Sequence, residues 1–119
     1  MRELTEKEIL NRKHFLMFME LIGLSPTSCN AYATTLMSCS DFIKDELKKD
    51  GYASLYEVDN QKDIKRYQQI LDTTPAYISR NHSGNNRHLA SIVNYVKFID
   101  FYIYLQKEIT YQCFTFATV

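Results

Sequence analysis

Asn85, Asn86, Arg87 and His88 stand in a row between a glycine and a strongly apolar run, with Arg80 and His82 just upstream and Ser91, Asn94 and Lys97 just downstream. Donors and cations are thus gathered at what reads as a helix start. A helix N-terminus presents unsatisfied N–H groups and partial positive charge, so the combination suits a phosphate. On duplex DNA, Arg87 and the backbone amides would hold phosphates, with Arg80, Asn85, Asn86 and His88 beside them. Asn94 or Lys97 would reach toward the groove edges. The plainer alternative is a polar loop leading into a solvated helix flank. Lys62, Lys65 and Arg66, on the outside of another helix, would add a second set of phosphate contacts, where a charged outer face is otherwise simply solvated.

Other chemistries find little to work with. His82 and His88, six residues apart across a loop, do not have the spacing of zinc ligands. Glu57 and Asp59 precede a helix, where acids serve as caps. There is no glycine-rich phosphate loop and no Ser-His-Asp or Cys-His arrangement, so the expectation is a binding module with no catalytic residue, no metal and no cofactor.

Lys and Arg balance Asp and Glu at 14 each, giving zero formal charge and a pI near 6.8. That argues against binding nucleic acid through bulk charge and leaves room for a local patch. At 119 residues the chain is long enough for one domain with a real core. No apolar stretch has the length of a signal peptide's or a membrane span, which makes a cytoplasmic protein without a membrane partner the default. Cys29, Cys39 and Cys113 form no C-x-x-C pair. On one helix Cys29 and Cys39 would stand about 15 Å apart at ~1.5 Å rise per residue, too far to bridge, so they read as reduced thiols.

The positioning elements read as helices. Thr5-Glu6-Lys7-Glu8 is a capping box opening a helix to about Ile22, stopped by Gly23. Within it Phe15-Leu16-Met17-Phe18-Met19 is apolar all round, either enclosed by other helices or in part facing a partner; His14 falls on the opposite, surface side. Ser25-Pro26 caps a second, long helix carrying Tyr32, Leu36, Cys39, Ile43 and Leu47 and ending at Lys48 to Asp50 before Gly51. Tyr52 to Val58 is an ordered, extended connection that plugs the core with Leu55, Tyr56 and Val58. Asp59 or Asn60 caps a third helix with Ile64, Tyr67 and Leu71 inward. Thr74-Pro75 opens a short helix through about Arg80. After the loop Asn81 to Asn86 comes the central helix, to Lys107 or Glu108, with one stripe of Leu89, Ile92, Val93, Val96, Ile99 and Ile103 and a second of Tyr95, Phe98, Tyr102 and Leu105. The result is an all-α orthogonal bundle of four main helices plus one short one, spanning residues 1–108. Residues 109–119 form an uncharged, β-branched and aromatic tail. It is a strand against Tyr52 to Val58, an exchanged arm in a homodimer, or an end out of place.

Two passages resemble a known family. Gly23-Leu24-Ser25-Pro26-Thr27-Ser28-Cys29-Asn30-Ala31-Tyr32, followed by Leu36 and Phe42-Ile43, resembles the opening of the core-binding domain of tyrosine recombinases, the phage integrases. Asn86-Arg87-His88-Leu89-Ala90-Ser91-Ile92-Val93-Asn94-Tyr95-Val96-Lys97-Phe98-Ile99 is similar to that domain's last helix. Ser54-Leu55-Tyr56-Glu57-Val58-Asp59-Asn60 looks closer to a related helical module that precedes HNH-type nuclease domains in bacterial restriction-like proteins. The resemblance spans roughly Phe15 to Tyr102. It implies a SAM-like bundle that grips duplex DNA while a separate domain performs recombination or cleavage. No counterpart of the recombinase catalytic residues is present, and Tyr111 sits in no matching motif. The chain is then a fragment of a longer protein or a stand-alone module. The rival expectation is a protein-interaction or dimerisation domain using the aromatic surface and the tail.

Overall fold

Thr5 and Glu8 close the expected capping box at the start of α1 (Glu6–Leu21): the Thr5 hydroxyl accepts from the Glu8 amide at 3.2 Å, and the Glu8 carboxylate accepts from the Thr5 amide at 2.9 Å. The computed structural model describes the backbone of residues 2–118 and the side chains of residues 2–110. Glu8 does more than cap. Fully buried, its carboxylate also accepts two bonds from Arg2 (2.6 and 2.8 Å) and one from the Ser54 hydroxyl (2.5 Å). Those bonds, Arg2's above all, hold its pKa down at about 2 from an ordinary 4.5, against the opposing pull of burial.

Gly23, at φ +92°, ends α1 in the left-handed conformation that glycine adopts without strain. Leu24 makes the corner, and Ser25 caps α2 (Pro26–Phe42) with proline in the first turn. The second helix is not the single long rod that its apolar spacing predicts. It breaks at Ile43 (φ −126°, ψ 31°), and a separate α3 (Lys44–Lys49) follows before Gly51 turns the chain at φ +85°. Ser40 sits just before the break. Its hydroxyl donates to the Leu36 carbonyl at 3.2 Å, a back-bond that bends helices, and accepts from the Leu55 amide at 3.0 Å. The incoming segment thus occupies the place where the helix stops being straight.

That segment plugs the core as expected, though through a 3₁₀ turn (Leu55–Glu57) and not an extended run. Leu55, Tyr56 and Val58 are all buried. Side chains from the helices satisfy its polar groups: Asn11 donates to the Tyr56 carbonyl (2.6 Å), and Tyr95 donates to the Val58 carbonyl (3.1 Å). The Tyr56 hydroxyl in turn donates to the Ala33 carbonyl (2.6 Å).

Asn60 caps α4 (Gln61–Asp72), which turns Ile64, Tyr67 and Leu71 fully inward. In α5 (Pro75–Ser83), Thr74 does not act as the expected side-chain cap; its hydroxyl donates back to the Ile70 carbonyl at 2.8 Å. The helix also runs past Arg80 to Ser83, so the first half of the predicted loop is helical.

The largest departure is at the C-terminus. α6 runs without interruption from Arg87 to Thr118, so the tail predicted as a strand or arm continues the helix, and no strand occurs among the described residues. The physical reason lies in the plug. Its backbone groups are already bonded to side chains of α1, α2 and α6, leaving no edge for pairing, whereas a helix satisfies its own backbone. β-propensity is a weak, context-dependent preference and yields.

The architecture is therefore all-helical: α6 lies most extensively on α2 and also touches α1, α4 and α5. Its inward face carries Ser91, Ile92, Tyr95, Phe98 and Ile99. Ser91, expected on the polar flank, is fully buried and donates to the Tyr32 carbonyl at 2.6 Å, while Leu89, expected in the core, is 37% exposed. Past Ile103 no described side chain of α6 is buried. The extents of 56 × 34 × 27 Å reflect that overhang.

Because the Glu8 pKa is depressed by folding, its stabilisation is fully present above pH 4.5 and is lost as pH falls toward about 2. With Arg2 half-exposed, the contribution is on the order of 2 kcal/mol. Glu8→Gln is expected to flatten the acid limb of the stability profile across that window in urea titrations followed by circular dichroism. An unchanged acid limb would contradict the clamp.

Candidate nucleic-acid interface

The turn between α5 and α6 is three residues long, Gly84, Asn85 and Asn86. Asn85 (φ +56°) and Asn86 (φ +59°) hold consecutive left-handed conformations, which asparagine tolerates better than other side chains. Gly84 is needed for a different reason. Its φ is −109°, but a Cβ there would lie 3.0 Å from the Arg80 carbonyl.

Asn81, absent from the predicted contacts, organises this turn. It is buried on the inward side of α5. Its side-chain oxygen accepts from the Leu89 amide at 2.7 Å, and its carbonyl accepts from the Asn86 amide at 2.8 Å. A cap on α6 is thereby supplied from the preceding helix. The available signal was its position four residues after Tyr77, on the same inward stripe. One first-turn donor of α6 is consequently spent inside the protein and is not offered to a phosphate.

His88 also departs from its expected role as a surface donor. The side chain is buried, with its ring against Phe42 at 5.8 Å and 71°. Burial lowers its pKa from the ordinary 6.5, and the nearby Arg80 and Arg87 charges lower it further, so the imidazole is neutral at pH 7. Asn94 is half-buried and its amide donates to the Ala90 carbonyl at 2.9 Å. Asn85 and Asn86 are exposed and shape the turn.

What the turn does display is charge. Arg80 and Arg87 flank it, both exposed, and neither forms an ion pair among the described residues. Lys97, exposed and equally unpaired there, lies about 15 Å further along α6 at ~1.5 Å per residue. The second predicted set divides differently. Arg66 binds Asp50 at 2.6 Å and lies 3.6 Å from Asp63, with its guanidinium 4.6 Å above the Tyr67 ring. Tyr67 also donates to Asp50. Lys65 pairs with Asp100 at 3.6 Å, which leaves Lys62 as the unpaired cation of the three among the described residues. Arg66 is thus part of a strap joining the end of α3 to α4.

Beside the turn lies an open cavity of about 280 Å³ between α5 and α6, whose wall includes Asp72, Tyr77, Asn81 and His82. The acid makes it a poor seat for an anion. Among the described residues no three His, Cys, Asp or Glu side chains gather as a metal site, and no helix is long and apolar enough to cross a membrane. Cys29 and Cys39 are buried and unpaired, and burial pushes the Cys39 thiol up to about 12; the side chain of Cys113 lies outside the described residues. No family model, curated protein or solved structure matches the chain.

The division of labour at this turn has a measurable consequence. Asn81→Ala, which removes a buried cap, is expected to cost about 1–2 kcal/mol in urea denaturation. Asn94→Ala should stay within about 0.5 kcal/mol. Equal effects from the two would contradict the assignment of Asn81 as the residue that holds the turn.

Proposed function

We propose that this chain is a DNA-binding module of the core-binding, SAM-like kind, without catalytic residues of its own. The observation that carries the reading is the exposed pair Arg80 and Arg87 on either side of the α5–α6 turn, with Lys97 beyond and no acid paired to any of them among the described residues. The resemblance of Gly23 to Tyr32 and of Asn86 to Ile99 to the recombinase domain supports the same reading.

In it the named residues have distinct jobs. Arg80, Arg87 and Lys97 bind phosphates, and Lys62 is an outlying fourth contact. Asn85 and Asn86 set the turn that separates the two arginines. His88, neutral and packed on Phe42, anchors the first turn of α6 below them. Asn94 keeps its side-chain oxygen for a base edge or a bridging water. With few cations and zero net charge, the module contributes modest, salt-sensitive affinity to a larger assembly. Any cutting or rejoining of DNA belongs to a separate catalytic domain or partner acting on the same duplex in the cytoplasm.

Fluorescence anisotropy with a labelled random duplex tests this. Four phosphate contacts predict a slope of about −3.6 in log affinity against log salt, at roughly −0.9 per contact. Arg87→Ala with Lys97→Ala should flatten that slope by about two and weaken binding at low salt, with the circular dichroism spectrum unchanged. No binding at low salt, or a double variant that binds as tightly as the parent, would sink the proposal.

A further inference from the structure

Away from the charged turn, α1 and α6 leave an apolar groove of about 250 Å³ between them, walled by Met17, Phe18 and Leu21 on one side and Phe98, Phe101 and Leu105 on the other. His14, expected on the surface side of α1, sits at this wall instead, its ring 6.1 Å from that of Tyr102. The two walls are helical stripes. Leu10, His14, Met17 and Leu21 recur along α1, and Phe98, Phe101, Leu105 and Ile109 recur along α6 at steps of three and four. Several of these side chains are well exposed: Leu21 is 76% exposed, Met17 52% and Ile109 54%, with Tyr104 beside them at 64%. A large apolar face on one side of a folded domain marks an interaction site.

We infer that the occupant of this face is a second copy of the same chain, its α6 laid antiparallel across the first. Three features of the face fit that partner. The groove and the overhang of α6 are continuous on the same end of the molecule, so a two-fold axis crossing α6 beyond the groove sets each copy's overhang against the other's groove in one self-complementary contact. The face is also poor in charge: Lys107 and Glu108 are the only charged residues from Phe101 to Thr118, and Lys107 falls on the side of α6 away from the stripe. The area is adequate: the exposed parts of these apolar side chains amount to roughly 700 Å² per copy, close to the ~800 Å² per partner of a standard stable interface.

Sedimentation velocity on the full chain tests the inference without reference to DNA. A mass twice the 14.0 kDa of the chain is expected at micromolar concentration, with little response to salt. Leu21→Glu with Leu105→Glu, both at exposed positions, should give a monomer with an unchanged circular dichroism spectrum and melting curve. A parent chain that stays monomeric at about 100 µM, a standard protein concentration for detecting weak dimers of Kd ~10⁻⁴ M, would overturn the inference. So would a dimer indifferent to the Leu21 and Leu105 changes. A monomer that instead binds phosphatidylcholine vesicles would assign the face to a lipid surface, and that also overturns it.

Discussion

The fold depends on how the short irregular segment from Ser54 to Val58 gets its polar groups satisfied inside a helical core. Its own 3₁₀ turn satisfies only some of them (the Glu57 amide on the Ser54 carbonyl and the Val58 amide on the Leu55 carbonyl, each 3.0 Å), and a buried amide or carbonyl left unpaired costs about 1–3 kcal/mol. Here the remaining needs are met from three helices: Glu8 and Asn11 of α1 take the Ser54 hydroxyl and donate to the Tyr56 carbonyl, Tyr95 of α6 donates to the Val58 carbonyl, and Ser40 of α2 accepts the Leu55 amide. The aromatic rings complete the junction, with Phe15 edge-on to Tyr95 at 5.1 Å and Tyr56 edge-on to Tyr95 at 5.6 Å. α1, α2 and α6 are therefore oriented by hydrogen bonds with direction as well as by apolar contact without it.

α6 is the element that connects this core to both proposed surfaces. Its first turn is held by Asn81 and carries Arg87, exposed across the turn from Arg80. Its middle supplies Ile92, Tyr95, Phe98 and Ile99 to the core. Its last part leaves the bundle with apolar side chains exposed. In the two proposals α6 passes from phosphate to core to a second copy, which would set two binding functions along one axis. Half-sites on DNA are commonly met by dimers with this kind of two-fold arrangement.

Much of the fold was legible in local chemistry. Thr5, Ser25, Asn60, Gly23 and Gly51 mark helix ends through side-chain caps or left-handed backbone, and those signals act within a few residues. The failures involve contacts distant in sequence. The break at Ile43 follows from Leu55 arriving at Ser40, and the burial of Ser91 follows from Tyr32 presenting a carbonyl. His88 and Leu89 exchange their expected environments because α6 is rotated by its contacts with Phe42 and Asn81. The helical tail follows from the plug having no free edge. At the candidate interface, Arg80, Arg87 and Lys97 were legible as cations. The commitment of Lys65 to Asp100 and of Arg66 to Asp50 required the third dimension, whereas Arg66 and Asp63 stand three residues apart on one helix.

Hydrogen exchange read at residue level, at two protein concentrations, tests the joint claim that the plug locks α6 and that a second copy covers its overhang. The amides of Leu55 and of residues 92–99 should exchange only through global unfolding, with the same dependence on denaturant. The amides of residues 104–110 should gain protection as concentration rises. Local opening at Leu55 while α6 stays protected, or protection of 104–110 that ignores concentration, would contradict the account.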